Sequence, residues 1–459
     1  MRTFLALVAA ATLVGHAAQP SNPTQPNVVL IMTDDLGYGD LGSYGAPDIR
    51  TPNIDRLARR GVRFTDFYAN GSSCSPTRAG LIGGRYQQRY AIETPLPIGG
   101  PASQTGLPVT GHSLPQLLRN AGYATALIGK WHLGYLPAYS PRAHGFETFF
   151  GFKSGFIDYY HHNRQDGQPD LFENDEVTTA TGYMTDLITQ RSLDVIAKHA
   201  RQPFFLDVAY NSPHWPYQVP DQPTKAVDNG RHRMPFDQGT NTRAEYVRMV
   251  ERVDQGIAQI VAGLEKHGLI DNTLLIFTND NGGEWLSRNA PLFNRKFSLW
   301  EGGIRVPAIV SWPGRVQAGH VTPQVGITMD LTQTILAAAG VTAPAEAKFD
   351  GVNLLPVLEG KSPPQDRTLF WRINTPALNQ RAVRSGRWKL MRDGGPGRPM
   401  LFDVSKDLGE RNDLGAAQTD VVKRLHELLT AWEQDVDSEA KSRATASPQS
   451  GSRPEASSR

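Results

Sequence analysis

Short apolar runs alternate with amphipathic segments along the first 360 residues of the chain. The runs predict buried strands at Asn27–Met32, Tyr123–Ile128, Phe204–Tyr210, Thr273–Thr278 and Val306–Ser311. The segments, in which apolar residues recur every three or four positions, predict helices at Thr51–Arg60, Ser113–Asn120, Thr181–Ala200 and Arg243–His267. This alternation predicts an α/β fold, with a largely parallel central sheet that is covered by helices on both faces.

The pattern changes after Gly360. Four shorter strand-like runs and one helix, from about Thr419 to Val436, predict a smaller α+β subdomain with an antiparallel sheet over residues 361–437. Residues 27–360 would then form the larger, N-terminal domain. Residues 438–459 lack periodicity and are rich in Ser, Ala, Arg, Lys and Glu, so we expect them to be disordered. The four runs are Thr368–Arg372, Gln380–Arg384, Lys389–Arg392 and Leu401–Val404.

The N-terminus has the pattern of a secretory signal peptide. Arg2 precedes an apolar stretch from Phe4 to Val14, and small residues follow it. The stretch is too short to span a bilayer. A buried N-terminal helix is the alternative, but the proline-rich segment 19–26 is typical of a linker. We therefore expect a signal peptide over residues 1–18, a linker over residues 19–26, and a periplasmic or secreted protein.

The charge of the chain is nearly balanced. Lys plus Arg is 47 and Asp plus Glu is 45, which gives a formal net charge of +2. This balance offers no basis for attraction to nucleic acid or to a membrane surface, so we expect neither partner and no membrane span in the mature chain. Any anion must be bound by a local cluster of cations.

Carboxylate and amide side chains follow two of the predicted strands. Asp34 and Asp35 come after the first strand, and Asp280 and Asn281 follow the strand that begins at Thr273. Carboxyl ends of parallel strands meet at one edge of a sheet, so four oxygen donors could converge there. Oxygen ligands favour Ca²⁺ or Mg²⁺ over Zn²⁺. Each pair alone is also explained by turn formation, but the two pairs together favour a metal site.

Cys74 is the single cysteine and opens the sequence Cys-Ser-Pro-Thr-Arg. Pro76 suits the first turn of a helix, so Cys74 should lie at or just before a helix N-terminus. Backbone N–H groups there favour a thiolate or a bound anion, and Arg78 would lie one turn along on the same side. The alternative is a small buried apolar residue, against which the polar neighbours argue.

Four further cationic or imidazole side chains follow predicted strands or lie in loops. Lys130 and His132 follow the Tyr123 strand, His214 follows the Phe204 strand, and Lys296 lies in a later loop. Each alone is more often a solvated or packing residue. Their shared position strengthens the case that they belong to one site.

Three loops are expected to form the walls of a substrate pocket, namely residues 135–175, 215–240 and 284–296. Their aromatic residues suit stacking on a sugar, and their His and Arg residues suit a second anion. The alternative is that the aromatic residues pack the loops against the body of the protein. The substrate-binding candidates in these loops are His161, His162, Arg164 and Trp215, and the same loops hold Tyr159, Tyr160, Tyr217, Trp285 and Arg288.

Taken together, the motifs resemble those of the type I, formylglycine-dependent, arylsulfatase-like sulfatases of the alkaline phosphatase superfamily. The resemblance runs from about Asn27 to Leu414, most of the chain. Cys-x-Pro-x-Arg is highly specific in this setting. The motifs are Asp34-Asp35-Leu-Gly-Tyr-Gly39, Thr51-Pro-Asn-Ile-Asp55, Cys74-Ser-Pro-Thr-Arg78, Gly129-Lys-Trp-His132, Pro213-His214, Asn279-Asp-Asn-Gly282, Glu301-Gly-Gly-Ile-Arg305 and the segment Leu401 to Leu414.

The resemblance implies an alkaline-phosphatase-like fold and a covalent mechanism. A formylglycine-generating maturation enzyme would oxidise Cys74 to formylglycine, whose hydrate attacks the sulfur of a sulfate ester and later expels sulfate. One Ca²⁺ per chain would be bound by residue 74 together with Asp34, Asp35, Asp280 and Asn281.

The resemblance also implies a role for each cationic or imidazole residue. Arg78 and Lys130 would stabilise the hydrated nucleophile. His132 would take the proton when sulfate is expelled, and His214 and Lys296 would hold the sulfate and protonate the leaving oxygen. Lys130 would also contact the substrate. The substrate would be a sulfated small molecule or glycan, with a sulfated saccharide favoured by the loop aromatics.

Two other functions remain as alternatives. A phosphodiesterase or phosphonate hydrolase of the same superfamily would share the fold. A two-metal phosphatase normally needs additional His and Asp ligands, and the sequence shows no such cluster beside the oxygen donors. A catalytically inactive, secreted glycan-binding homologue would keep the pocket and leave Cys74 unmodified.

Overall fold

The computed structural model describes residues 25–98, 104–164, 166–223, 241–376, 378–394 and 397–446. The expected signal peptide, most of the expected linker, residues 224–240 of the loop 215–240 and the segment 447–459 lie outside these residues. Within the described ranges, every helix is too short or too polar to cross a lipid bilayer.

A ten-stranded mixed sheet forms the centre of the larger domain. A pair of short strands, β3 (Phe67–Tyr68) and β12 (Gly326–Ile327), lies beside it. The ten strands are β1 (Asn27–Thr33), β2 (Val62–Phe64), β4 (Ala124–Lys130), β5 (Thr148–Phe152), β6 (Phe172–Glu173), β7 (Glu176–Val177), β8 (Phe204–Ala209), β9 (Thr273–Asn279), β10 (Ala308–Ser311) and β11 (His320–Thr322).

The middle of this sheet is parallel, antiparallel pairs flank it on both sides, and β11 joins β2 in parallel at one border. Strands β9, β1, β8, β4 and β5 are adjacent in that order and run in one direction. β10 pairs antiparallel with β9 and β2, and β6 and β7 close the opposite border. The strand expected at Val306–Ser311 begins at Ala308. It runs antiparallel to both of its neighbours, because the chain returns along the sheet border without a crossover helix.

The apolar character of β1 follows from burial on both faces. Val28, Leu30 and Met32 point into one hydrophobic core, whereas Val29 and Ile31 point into the other. Successive side chains of a strand alternate between its faces, so a strand covered on both sides must be apolar at every position. The predicted helix-covered sheet is confirmed.

The helices divide between the two faces. α1, α4 and α5 contribute to the core that contains Val29, and α2, α3 and α7 contribute to the core that contains Val28. The helices are α1 (Pro52–Arg60), α2 (Cys74–Gly83), α3 (Leu114–Asn120), α4 (Met184–Lys198), α5 (Arg243–Lys266), α6 (Glu301–Ile304), α7 (Asp330–Ala338), α8 (Leu355–Leu358) and α9 (Thr419–Ala446). Ser113 directly precedes α3, but its hydroxyl does not cap the helix and instead donates to the carbonyl of His144 at 2.6 Å.

The C-terminal subdomain is an antiparallel sheet with one long helix. Its strands pair in chain order, and α9 packs on them through a third hydrophobic core. The predicted antiparallel C-terminal sheet is thus confirmed. The strands are β13 (Thr368–Asn374), β14 (Asn379–Ser385), β15 (Trp388–Asp393) and β16 (Met400–Asp403).

The expectation that disorder begins at residue 438 is wrong, because α9 continues to Ala446. Glu439 lies in this extension and pairs with the guanidinium of Arg85 through two hydrogen bonds of 2.6 and 2.7 Å. Arg85 lies two residues after the end of α2. A partner distant in sequence thus supports a helical segment whose own sequence carries little periodicity.

Candidate active site

The carboxyl ends of β1 and β9 bring the acidic residues together. Thr33 of β1 is in register with Asn279 of β9, so Asp34 and Asp280 follow their strands at the same level. All four expected oxygen donors are buried, with exposures of 1% or less. The amide of Asn281 donates to Asp35 at 2.7 Å and links the two strand ends.

Cys74 is the first residue of α2 and lies against these acids. Its Sγ is 3.6 Å from Oδ1 of Asp34. Burial raises the pKa of the thiol to about 12, although Lys130 and Lys296 act to lower it. The expectation that the helix N-terminus favours a thiolate is therefore not met in the unmodified protein. A neutral thiol is a poor nucleophile.

Arg78 and Lys130 form ion pairs with the acidic residues at these strand ends. Nε and Nη2 of Arg78 donate to Oδ2 of Asp280 at 3.1 and 3.0 Å, and its Nη1 donates to the carbonyl of Lys130. The ammonium of Lys130, the last residue of β4, donates to Asp34. The predicted position of Arg78, one turn after Cys74, places it between the ends of β9 and β4.

Lys296 and His214 form a second cationic group around Asp35. Nζ of Lys296 donates to Oδ2 of Asp35 at 2.8 Å and to Nε2 of His214 at 3.2 Å. The proton of His214 therefore sits on Nδ1, which donates to the carbonyl of Trp215. Burial, followed by the charge of Lys296, lowers the pKa of His214 to about 3, so its imidazole is neutral.

His132 has one nitrogen available. Its Nε2 donates to the carbonyl of Leu96 at 3.1 Å, and its Nδ1 is buried without a partner among the described residues. Burial, together with the nearby charges of Lys130 and Arg78, holds the pKa of His132 well below its usual value. A neutral imidazole with a free lone pair at Nδ1 can accept a proton.

Two buried oxygens at the centre lack hydrogen-bond partners among the described residues and could bind a divalent cation. Oδ1 of Asp280 and Oδ1 of Asn281 are buried and have no hydrogen-bond partner in the described chain. Unpaired buried acceptors are costly, and hard oxygen donors are the ligands that Ca²⁺ prefers. Burial, followed by the negative charge of Asp34, raises the pKa of Asp280 to about 7, because the neighbouring carboxylates repel one another. A cation among them would relieve both penalties.

One ligand atom each from Asp34, Asp35, Cys74 and His214 lies within 4.8 Å of all the others. The sequence predicts Asp280 and Asn281 in place of His214. We favour the oxygen set, since the lone pair of His214 Nε2 already accepts a hydrogen bond from Lys296, whereas Oδ1 of Asp280 and Oδ1 of Asn281 have no partner among the residues that the structure describes.

The four substrate-binding candidates are less closely tied to this centre. His161 pairs with Asp158, and Arg164 pairs with Asp166. His162 is buried and donates to the carbonyl of Gly182, as expected of a packing residue. No described hydrogen bond, ion pair or ring contact joins these three side chains to the central cluster.

Trp215 is connected to the centre through a residue that the sequence analysis missed. The ring of Phe156 stacks on His214 at a centroid distance of 5.9 Å and meets the edge of Trp215 at 4.9 Å. Glu284 was also missed. It is buried, with Lys296 and Asp35 as charged neighbours. Its place three residues after Asn281, at the same strand end, was the available signal.

Comparison with known proteins identifies the family to which the chain belongs. The family model described as Sulfatase matches residues 26–341, and the model described as N-sulphoglucosamine sulphohydrolase, C-terminal, matches residues 289–435. The chain belongs to the sulfatase family, within the alkaline phosphatase superfamily, and is a sulfuric ester hydrolase. The family resemblance and the fold expected from the sequence are confirmed.

Individual relatives match along most of their length. The chain is 33% identical to the N-acetylgalactosamine-6-sulfatase of Homo sapiens, over 90% of this chain and 86% of the relative. It is 33% identical to the arylsulfatase A of Bos taurus, over 87% of this chain and 85% of the relative. A crystal structure of Ps i-CgsB in complex with k-i-k-neocarrahexaose matches with a TM-score of 0.81 and 30% identity, over 93% of this chain and 98% of that chain.

Proposed function

We propose that this sulfatase hydrolyses sulfate esters of a saccharide with a nucleophile derived from Cys74. The observation that carries the proposal is the position of residue 74. It opens α2 at the carboxyl edge of the sheet, with its Sγ 3.6 Å from Asp34, in a pocket that also holds Arg78, Lys130 and Lys296. A protonated thiol has no evident use there, whereas a formylglycine hydrate would supply a hydroxyl nucleophile.

We propose that Asp34, Asp35, Asp280, Asn281 and residue 74 hold one Ca²⁺. When bound, the cation would supply Lewis-acid stabilisation of negative oxygen at the reacting centre. Three ion pairs, Asp280–Arg78, Asp34–Lys130 and Asp35–Lys296, join three carboxylates to three cations. Since these charges balance, a divalent cation would leave an excess positive charge that suits an anionic ester.

The cationic and imidazole side chains then divide the remaining work. Lys130 and Arg78 stabilise the oxygens of residue 74 while the nucleophile attacks sulfur in line with the departing alcohol. Lys296 and His214 bind the sulfate, and the shared proton between them is available to the leaving oxygen. His132, whose Nδ1 has no partner within the described ranges, accepts the proton of the second hydroxyl when sulfate is released.

The substrate is proposed to be a sulfated saccharide. One relative is named for a 6-sulfated N-acetylgalactosamine, and the i-CgsB structure contains a neocarrahexaose. Trp215 and Phe156 extend the imidazole of His214 into an aromatic wall that could pack on a sugar ring. Of the four sequence candidates, Trp215 is the one for which contacts support a place in this wall.

Export and maturation complete the proposal. The N-terminal pattern of residues 1–18 favours a periplasmic or secreted enzyme, and Cys74 would be converted by a formylglycine-generating enzyme before or during folding. Conversion must precede the final fold, because Cys74 is only 2% exposed in the native protein. Sequencing the N-terminus of protein recovered from the periplasm or medium checks the export claim; a chain that still carries residues 1–18 contradicts it.

The function is tested by preparing the protein with and without a co-expressed formylglycine-generating enzyme. Mass spectrometry of the peptide that contains residue 74 gives the formylglycine fraction of each batch. Sulfate release is measured from N-acetylgalactosamine-6-sulfate, from the neocarrahexaose and from an aryl sulfate. Activity should rise in proportion to the formylglycine fraction. Equal activity in protein with an intact thiol would contradict the mechanism.

Two controls separate the alternatives. A matched aryl phosphate and an aryl phosphonate monoester should be poorer substrates than the aryl sulfate, and a higher kcat/KM for either would favour the phosphodiesterase or phosphonate hydrolase. Fully converted protein that binds the saccharides without releasing sulfate would favour the inactive glycan-binding protein.

A further inference from the structure

An open cavity of about 710 Å³ lies beside the centre, and none of the proposed catalytic or metal-binding residues lines it. Its wall comes from the loop 284–295, with Asp48 and Arg243 on the other side. A volume in this range accommodates a sugar unit or a small oligosaccharide. Arg295 in this wall directly precedes Lys296 in the chain, and Glu284 in the same wall has Lys296 and Asp35 as charged neighbours, so the cavity adjoins the proposed sulfate-binding residues.

The cavity contains an exposed aromatic surface. The indole of Trp285 is 51% exposed, one of the largest exposures of a bulky apolar side chain in the described chain. The guanidinium of Arg295 lies over this ring at 3.6 Å from its centroid. An indole that stays half exposed and carries a stacked guanidinium offers both an apolar face for sugar C–H groups and N–H donors for an anion.

The charges that remain unpaired in the cavity are positive. Arg243 is held by Asp40 and Asp48, with its closest contact at 2.6 Å. The side chains of Arg288 and Arg295, by contrast, form no ion pair or hydrogen bond within the described residues. Glu284, the other acid in the wall, is buried beside Lys296. Arg288 has Asp48 and Arg295 has Glu284 as a charged neighbour, but neither guanidinium is held by a direct ion pair in the described part of the chain, so both are available to an anion in the cavity.

Hydrogen bonds hold this wall to the segments that follow β1 and β9. The N–H of Arg288 donates to the carboxylate of Asp40 at 3.0 Å, and its carbonyl accepts from Gly39 at 2.8 Å. The side chain of Asn289 accepts from the N–H of Gly283 at 3.0 Å and donates to the carbonyl of the same residue at 2.9 Å. A wall that is already ordered loses little entropy when it binds a ligand.

We infer that this cavity binds a second, anionic sugar of the substrate, one that adjoins the sugar whose sulfate is removed. The inference rests on the proposed function and adds a preference for oligosaccharides with a carboxylate or sulfate on the neighbouring unit. Trp285 stacks on the sugar ring, and Arg288 and Arg295 bind its anionic group.

The test uses calorimetric binding to the full chain carrying Cys74→Ala, which cannot turn the ligands over. The probes are N-acetylgalactosamine-6-sulfate, a chondroitin 6-sulfate hexasaccharide and the neocarrahexaose. At least one hexasaccharide should bind about tenfold more tightly than the monosaccharide. Adding Trp285→Ala or Arg288→Ala should remove most of that difference, and Arg288→Lys should keep part of it. Arg119→Ala, in the wall of a separate cavity, is the matched control.

Equal affinity for the monosaccharide and both hexasaccharides overturns the inference. So does a hexasaccharide preference that survives both Trp285→Ala and Arg288→Ala, or one that Arg119→Ala removes equally well. These outcomes leave the proposed function untouched if the wild-type protein releases sulfate. Converted wild-type protein that shows the hexasaccharide preference but never releases sulfate contradicts the proposed function and supports the binding site.

Discussion

Individual side chains at the centre are held in pairs, so most single substitutions there remove a charge and also strand its partner. Asp280 illustrates this point. One oxygen binds Arg78, and the other has no partner within the described chain. The first oxygen positions a cation of the protein, and we assign the second to the metal. The residue therefore connects the two charge systems of the site.

We predict that Asp280→Ala loses both the metal and the activity. Metal analysis of the purified variant should find no bound Ca²⁺, and kcat/KM should fall by about 100-fold or more, a loss typical of damage to a metal site. Wild-type protein stripped with a chelator should regain sulfate release when Ca²⁺ is added, whereas the variant should not. A variant that keeps stoichiometric Ca²⁺ would contradict the assignment of Asp280 as a ligand.

Asp207 offers a test of electrostatics away from the proposed ligands. It lies within β8, is buried, and has one oxygen without a partner among the described residues. Burial raises its pKa to about 7, although Arg78 acts to lower it. Because the folded protein holds this proton more tightly than the unfolded chain does, stability from Asp207 is full below about pH 4 and declines as the pH rises towards 7.

We therefore predict that Asp207→Asn flattens the pH dependence of the unfolding free energy. The variant should gain stability relative to wild type between pH 5 and pH 8, by a few kcal/mol at most, at roughly 1.4 kcal/mol per pKa unit. Urea denaturation of both proteins at pH 5 and at pH 8 measures this difference in unfolding free energy. A relative stability that is independent of pH, or that falls, would show that Asp207 is ionised in the native protein.

Among the elements, the C-terminal sheet supports the loop that carries Lys296. The N–H of Leu299 donates to Gln380 at 2.8 Å, and the indole of Trp300 donates to Asp393 at 3.0 Å. Lys389 of β15 is fully buried between Glu301 and Glu410, with ion-pair distances of 2.9 and 2.8 Å. The subdomain thereby fixes the segment that begins at α6 and the loop before it.

We predict that Lys389→Met destabilises the protein by about 3–5 kcal/mol, because it leaves buried carboxylates without their cation. The midpoint of thermal unfolding, followed by circular dichroism, measures the loss. The double variant Lys389→Met with Glu410→Gln should recover part of it, since one of the stranded charges is then neutral. If the single variant is as stable as wild type, the buried ion pairs do not hold the two domains together.

The last turns of α9 also carry a stabilising contact. A chain that ends after Asp437 loses Glu439 and its bidentate pairing with Arg85, whose side chain is 6% exposed. We predict a loss of about 1.5–3 kcal/mol, the range for hydrogen bonds to charged groups. A chain that ends after Ala446 is the matched control. Equal stability of the two truncated chains would mean that the extension contributes nothing.

At the scale of the whole molecule, the sequence identifies the fold because its central strands are buried on both faces. The apolar residues of β1 and β9 locate the strands, and the acidic residues that follow locate one edge of the sheet. That reasoning places Asp34 and Asp280 together, as the structure does. The helix-starting position of Cys74 follows from Pro76 by the same kind of local rule.

What depends on distant packing could not be predicted. The thiol of Cys74 is neutral because the surrounding elements exclude water, and no local pattern reports that burial. His162 follows another histidine in a polar loop, yet it is buried against Gly182. The extension of α9 needs Arg85, far away in the chain, and the wall of the cavity depends on the fold around Asp40.

The central claim is that residue 74, once converted, is the nucleophile for sulfate ester cleavage. The most direct test compares sulfate release by converted wild-type protein and by Cys74→Ala, both purified from a host with the maturation enzyme and both shown to be folded by circular dichroism. We predict steady release by the wild type and none above background by the variant. Release by Cys74→Ala at the wild-type rate would contradict the account.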